Sequence, residues 1–138
     1  MQVRDDEQQM TPELTALTLA ALLQVLQFVA YSVAANLQVG PKTAMSPRDK
    51  PVHLTGTAGR LQRAMNNHFE GLILFGIGVM VITYSGQNTD ITALACAIYL
   101  IARVLYVPAY VFGLAPWRSV IWFVGFLATL TLLIAALM

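Results

Sequence analysis

The stretch WRSVIWFVGFLATLTLLIAALM, residues 117–138, decides how this chain must be read, because nothing from Ser119 onward carries a charged side chain. As an α-helix rising about 1.5 Å per residue it is about 33 Å long. That matches the roughly 30 Å hydrocarbon layer of a bilayer, which takes about 20 apolar residues to cross. Working back along the chain, similar runs recur at about residues 91–112, 60–84 and 14–36. These four spans occupy most of the 138 residues. Only 11% of the chain is charged and 57% is hydrophobic, whereas a soluble domain is about a quarter charged. Such a chain cannot cover a globule with solvated surface, and its apolar content excludes disorder. The fold class expected is all-α integral membrane, a single domain (1–138) built as a four-transmembrane-helix bundle.

The connections agree. Residues 1–9 read as a polar tail with Asp5, Asp6 and Glu7; an acidic start without a small-residue cleavage site argues against a removed signal peptide. Thr11-Pro12-Glu13 reads as a helix start, with a cap, a first-position proline and an acid in the first turn. Residues 39–59 hold Gly40, Pro41, Pro47 and Pro51 with Lys42, Arg48 and Lys50, and read as a loop at headgroup level. Residues 85–90 form a tight turn and 113–116 a short link. Basic residues gather in the first and third connections, so the positive-inside rule puts those in the cytoplasm and both termini outside it.

Polar residues inside the spans fall into stripes. Arg60, Arg63, Asn67 and Glu70 are spaced 3, 4 and 3 and lie within about 80° on one helix face. Arg103, Tyr106 and Tyr110 repeat the pattern, and Arg118, Ser119 and Trp122 open the last span. The first span carries Gln24, Gln27, Tyr31 and Gln38 at similar spacing. By depth these stripes converge in the cytoplasmic half of the membrane. Glu70 could neutralise Arg63 or Arg103 in a structural network, yet four arginines exceed one carboxylate by three. Surplus buried cations call for an anion, and arginine forks suit carboxylates. No Ser-His-Asp, Cys-His or paired-carboxylate arrangement is present, so any chemistry here is electrostatic, such as lowering a ligand thiol's pKa.

Other classes are excluded. A net charge of +1 and the lack of a basic run leave no nucleic-acid signal. His53, His68 and Cys96 have no ligand spacing, so no metal is expected. His68 reads as a headgroup-level residue, Cys96 as packing, Tyr84 and Trp117 as interfacial anchors, and Gly71, Gly76 and Gly78 as close helix contacts.

Arg60-x-x-Arg63-Ala64-x-x-Asn67-x-x-Glu70 together with Arg103-x-x-Tyr106-x-x-x-Tyr110 resembles the signature of the MAPEG family, the membrane-associated proteins in eicosanoid and glutathione metabolism. Pro116-x-Arg118-Ser119 resembles the prostaglandin E synthase branch, and the compact chain is similar to bacterial members. The resemblance implies a homotrimer, in a bacterial inner membrane, with glutathione as co-substrate between subunits. It gives Arg118 the role of stabilising the thiolate, with Ser119 assisting. Arg60, Arg63, Asn67, Glu70, Arg103, Tyr106, Tyr110 and Trp122 would bind glutathione. A transferase or peroxidase acting on lipophilic electrophiles that enter from membrane lipid is the function implied. The alternatives are a non-catalytic lipid- or glutathione-binding scaffold, a trimer whose arginines hold lipid phosphates, or a small proton-coupled transporter.

Overall fold

A computed structural model describes residues 9–138, so all but Gln9 of the expected acidic tail lies outside the described residues. Five helices follow one another: α1 (Pro12–Val39), α2 (Pro41–Ala44), α3 (Gly56–Ser85), α4 (Asp90–Val111) and α5 (Trp117–Ala135). All but α2 are long and apolar enough to cross a membrane. The four-residue α2 lies within the segment expected to be loop only. Pro41 starts it, with φ already set for a first helical turn, and it stops at Met45.

Local chemistry sets the helix ends. The Leu14 N–H donates to Thr11 Oγ1 at 3.2 Å, and Pro12 occupies the first turn where no N–H is needed. Thr89 and Thr92 form a reciprocal capping box at α4, the Thr92 N–H donating to Thr89 Oγ1 at 3.2 Å and the Thr89 N–H to Thr92 Oγ1 at 2.8 Å. Gly86 ends α3 at φ 68°, a left-handed position that glycine reaches without a Cβ penalty. Gln38 holds the start of α3 through Thr55, donating to its carbonyl and accepting from its N–H, both at 2.9 Å.

Helices α3 and α4 form the middle of the bundle: α1 packs on both, α5 packs on both, and α1 and α5 do not meet. The core is a column of Ala16, Ala20, Phe75, Val79, Cys96, Tyr99, Ala128 and Leu132. Phe75 and Tyr99 stack with ring centroids 3.8 Å apart. Gly78 admits Leu132, whose Cβ would lie 3.2 Å from an added methyl. Outside this column the long helices expose Leu22, Leu26, Phe28, Ile73, Leu105 and Phe123, apolar surface that a lipid phase solvates.

Two polar residues lie deeper than expected. His68 is buried, not at headgroup level, with Nε2 2.9 Å from the Ala20 carbonyl of α1. Glu13, which reads as a helix-start acid, is also buried and its Oε1 accepts from the Thr92 hydroxyl at 2.6 Å, joining the ends of α1 and α4. Thr92→Val removes that donor and half of the capping box. A loss of about 2–3 kcal/mol is expected, since a buried carboxylate keeps its desolvation cost when its donor goes. Thermal unfolding in detergent reads this directly, and an unchanged midpoint would mean the contact contributes nothing.

Candidate functional site

The first turns of α3, the last turns of α4 and the first turns of α5 meet at one end of the bundle. Between them lies an open cleft of about 320 Å³, lined by Arg63, Asn67, Tyr106, Tyr110, Arg118, Ser119 and Trp122. Spacings of three and four on three antiparallel neighbours bring these residues to one level. The cleft adjoins a second hollow of about 180 Å³ toward the membrane centre; Asn67 and Trp122 line both, and Glu70, Gly71, Leu74, Arg103, Phe126 and Thr129 complete the inner part.

Tyr110 is the centre of the cleft's charge. The Arg63 Nε–H donates to its hydroxyl at 3.0 Å, with the guanidinium 5.8 Å from the ring centroid. Arg118 stands over the same ring at 4.7 Å. An aromatic face attracts a cation but does not neutralise it, so both guanidiniums keep their charge for a ligand. Tyr106 packs against Tyr110 at a tilt, centroids 5.6 Å apart. Tyr110→Phe keeps the ring and removes only the hydroxyl that orients Arg63. A few-fold loss of affinity for an anionic ligand is expected, in line with one hydrogen bond to a charged group; titration of the variant checks it.

Arg103 is held at mid-depth, 4% exposed. Its Nη1 donates to Asn67 Oδ1 at 2.8 Å, and its guanidinium stacks on Tyr99 and Tyr106 at 5.3 and 5.7 Å. With its carbonyl oxygen so used, Asn67 has its two amide hydrogens to offer a ligand. Glu70 does not neutralise Arg63 or Arg103: among the described residues no ion pair within 4.0 Å is formed. Trp122 stacks on Phe126, centroids 5.4 Å apart, and these rings give the inner hollow an apolar wall.

Nine of the ten residues singled out in the sequence line these two hollows. Arg60 does not. It lies one turn nearer the helix end, beyond the reach of the cleft, and its Nη1 donates to the last-turn carbonyl of Val111 at 3.0 Å. The polar stripe of α1 contributes nothing to the cleft either, since no α1 residue lines it and Gln27 is buried. Gly71, Leu74, Phe126 and Thr129 were not anticipated as site residues, although they continue the stripes by further steps of three and four. Gly71 is not a plain helix contact: its missing side chain is where the Arg103 guanidinium sits. A larger hollow of about 510 Å³ at the other end is lined by residues such as Ile91, Ile134 and Met138, with no charged side chain to anchor an ion.

Fold and site together define an integral membrane protein, a four-helix bundle with an arginine- and tyrosine-lined cleft at one end. A family model described as the MAPEG family matches residues 14–138, and the chain belongs to that family of four-helix membrane bundles. Membership makes it a glutathione-related membrane protein at the level of the family. No curated protein matches the chain.

Proposed function

We propose that the protein binds glutathione in the Arg63–Tyr110–Arg118 cleft and uses it as the thiol co-substrate of a transferase- or peroxidase-like reaction on a lipophilic electrophile. The observation that carries this reading is the pair of guanidiniums flanking Tyr110 in an open cleft, with no carboxylate among its lining residues. The cleft's volume lies at the lower end of the roughly 300–1,000 Å³ usual for small-molecule sites. Glutathione has two carboxylates, an amino group and a thiol, and the residues present fit that donor set. Arg63 and Arg103 suit the carboxylates as forked donors. Asn67 supplies amide hydrogens, and Glu70, in the adjoining hollow, suits the ammonium.

Arg118 then faces the thiol end. A cation beside a thiol favours its ionised form, and the Ser119 hydroxyl can donate to the same sulfur. The thiol proton leaves to water at the open mouth. The ionised sulfur supplies the nucleophile. In the transferase-like reaction it forms a carbon–sulfur bond as the electrophile's π pair takes a proton from water or its leaving group departs as an anion. In the peroxidase-like one it attacks the hydroperoxide oxygen, breaking the O–O bond to release the alcohol, and a second glutathione converts the resulting sulfenate to the disulfide and water. Trp122, Phe126 and Leu74 suit an apolar partner arriving from lipid. The cleft opens on the protomer's surface, which leaves it free to be closed by a neighbouring copy in the homotrimer that the family resemblance implies. Lys42, Arg48 and Lys50 support a cytoplasmic position for the 40–55 segment in an inner membrane, with both termini on the other side.

Calorimetric titration of glutathione into the detergent-purified protein tests the reading. Saturable binding that weakens as salt is raised is expected, because the contacts are ionic. The absence of both binding heat and thermal stabilisation at millimolar glutathione would overturn it.

A further inference from the structure

The cleft leaves one arginine of the α3 stripe unused. Arg60 is exposed, and its guanidinium lies at the corner where α4 ends and the link to α5 begins. That corner has a defined geometry. Gly113 adopts φ 65°, the left-handed position that glycine favours just past a helix end. The Gly113 N–H donates to the Tyr110 carbonyl at 3.0 Å and the Leu114 N–H reaches back to that of Ala109 at 2.9 Å, the paired bonds of a Schellman motif. The Phe112 N–H donates to the Pro108 carbonyl at 2.9 Å. The last four carbonyls of a helix have no partner within it. Of those in α4 only that of Val111 is then left without a backbone N–H, among the described residues. Arg60 Nη1 donates to it at 3.0 Å, a cation at the negative end of the helix.

The same corner carries Arg118. The Leu114 carbonyl accepts the Arg118 N–H at 3.0 Å, so Leu114 is bonded to α4 through its N–H and to α5 through its oxygen. Among the described residues no side chain caps α5 at Pro116. The first turn of α5 therefore takes its position from this link and from packing along α3 and α4. Arg60 lies against the link as well as against α4: an added methyl at Gly113 would be 3.4 Å from its Nη1 and 3.5 Å from its Cζ. One turn further along α3, Arg63 donates to the Tyr110 hydroxyl, and Arg118 stands over that ring at 4.7 Å. Arg60 and Arg63 thus tie α3 to the corner at two successive levels, the first outside the cleft and the second within it.

We propose that Arg60 is a positioning residue for Arg118: it closes the α4 C-terminus from α3, and so fixes the 112–116 link and the height of the Arg118 guanidinium in the cleft. Reaction geometry is sensitive to such support, since a misplacement of about 1 Å from a distant change can cost ~10²-fold in rate. The consequence for the ligand thiol rests on the glutathione reading; the clamp on the link does not.

The test uses the full chain in detergent, with arginine labelled with nitrogen-15. Arg60→Met keeps a long stem and loses every donor, whereas Arg60→Lys keeps a cationic donor for the Val111 carbonyl. In Arg60→Met the Leu114 and Arg118 backbone amides should exchange hydrogen several-fold faster. The Arg118 Nε–H resonance, displaced by the Tyr110 ring, should move toward its position in free arginine. Turnover with glutathione should fall roughly tenfold and the thiolate band should weaken, with Kd little changed because Arg63 and Arg103 are untouched. Arg60→Lys should restore most of each. Unaltered exchange or an unmoved Arg118 resonance in Arg60→Met overturns the proposal. So does a rise in Kd with turnover at saturation unchanged, which would make Arg60 a ligand contact. A lower thermal midpoint with the thiolate band and the resonance unmoved would make it structural alone and overturns the proposal too. If the unaltered protein binds no glutathione while exchange and resonance respond as expected, the clamp stands and the proposed function fails.

Discussion

Arg118→Ala is expected to remove most of the catalytic rate while leaving the protein folded and assembled. Arg118 is half-buried and its recorded contact is the Tyr110 ring, so truncation leaves no buried partner charged and unpaired. The contribution to chemistry proposed for it is of a different order. A preorganised cation beside a developing or resting anion is worth about 10²–10³ in rate when removed from a site of this kind. Turnover on a generic electrophile should fall by about that factor, and the ultraviolet absorption of bound thiolate should disappear. Affinity should fall less, because the carboxylate contacts proposed for Arg63 and Arg103 are unaltered. Arg118→Lys keeps the charge but loses the planar fork, so partial activity is expected. An Arg118→Ala protein with unaltered turnover would remove this residue from the mechanism.

The second large effect is expected at a residue with no side chain. A Cβ on Gly71 would clash with Arg103 Nη2 and lie 2.9 Å from its Cζ. Arg103 is almost fully buried and lies over two tyrosine rings, so a shift of its guanidinium toward the inner hollow gives up those contacts. Gly71→Ala therefore displaces the guanidinium, breaks its 2.8 Å hydrogen bond to Asn67 and leaves a charge poorly paired. Overpacking and the lost charged hydrogen bond together cost about 3 kcal/mol. A clear fall in the thermal midpoint and a marked loss of glutathione affinity are expected. A double variant isolates the cause: Gly71→Ala combined with Arg103→Leu should cost much less than the two single changes added together, because the clash needs both partners. Additive costs, or a Gly71→Ala protein with normal stability and affinity, would contradict the account.

These two residues also show what could be read from the chain and what could not. Hydropathy set the number of spans, because only helices satisfy their own backbone within lipid. The stripes at three and four set the cleft, because residues so spaced share a face whatever that face meets. Periodicity names a face, however, and not its neighbour. The α1 glutamines share a face that packs on α3 and α4, and nothing in their spacing distinguishes that from a face on the cleft. His68 lies about 100° from Asn67 and was expected among headgroups; it points instead to the Ala20 carbonyl. Arg60 keeps the spacing of its stripe but sits one turn too far out, where the last carbonyls of α4 take it. Gly71 could be read only as room for something, and the occupant is a side chain from another helix.

The central claim is that the cleft binds glutathione with its sulfur ionised beside Arg118. Ultraviolet difference spectroscopy on the detergent-purified protein tests this most directly. Added glutathione should produce a saturable thiolate band at a pH where free glutathione shows almost none, and the band should be absent in Arg118→Ala. Saturating binding without a thiolate band, or a band of equal size in the variant, would contradict it.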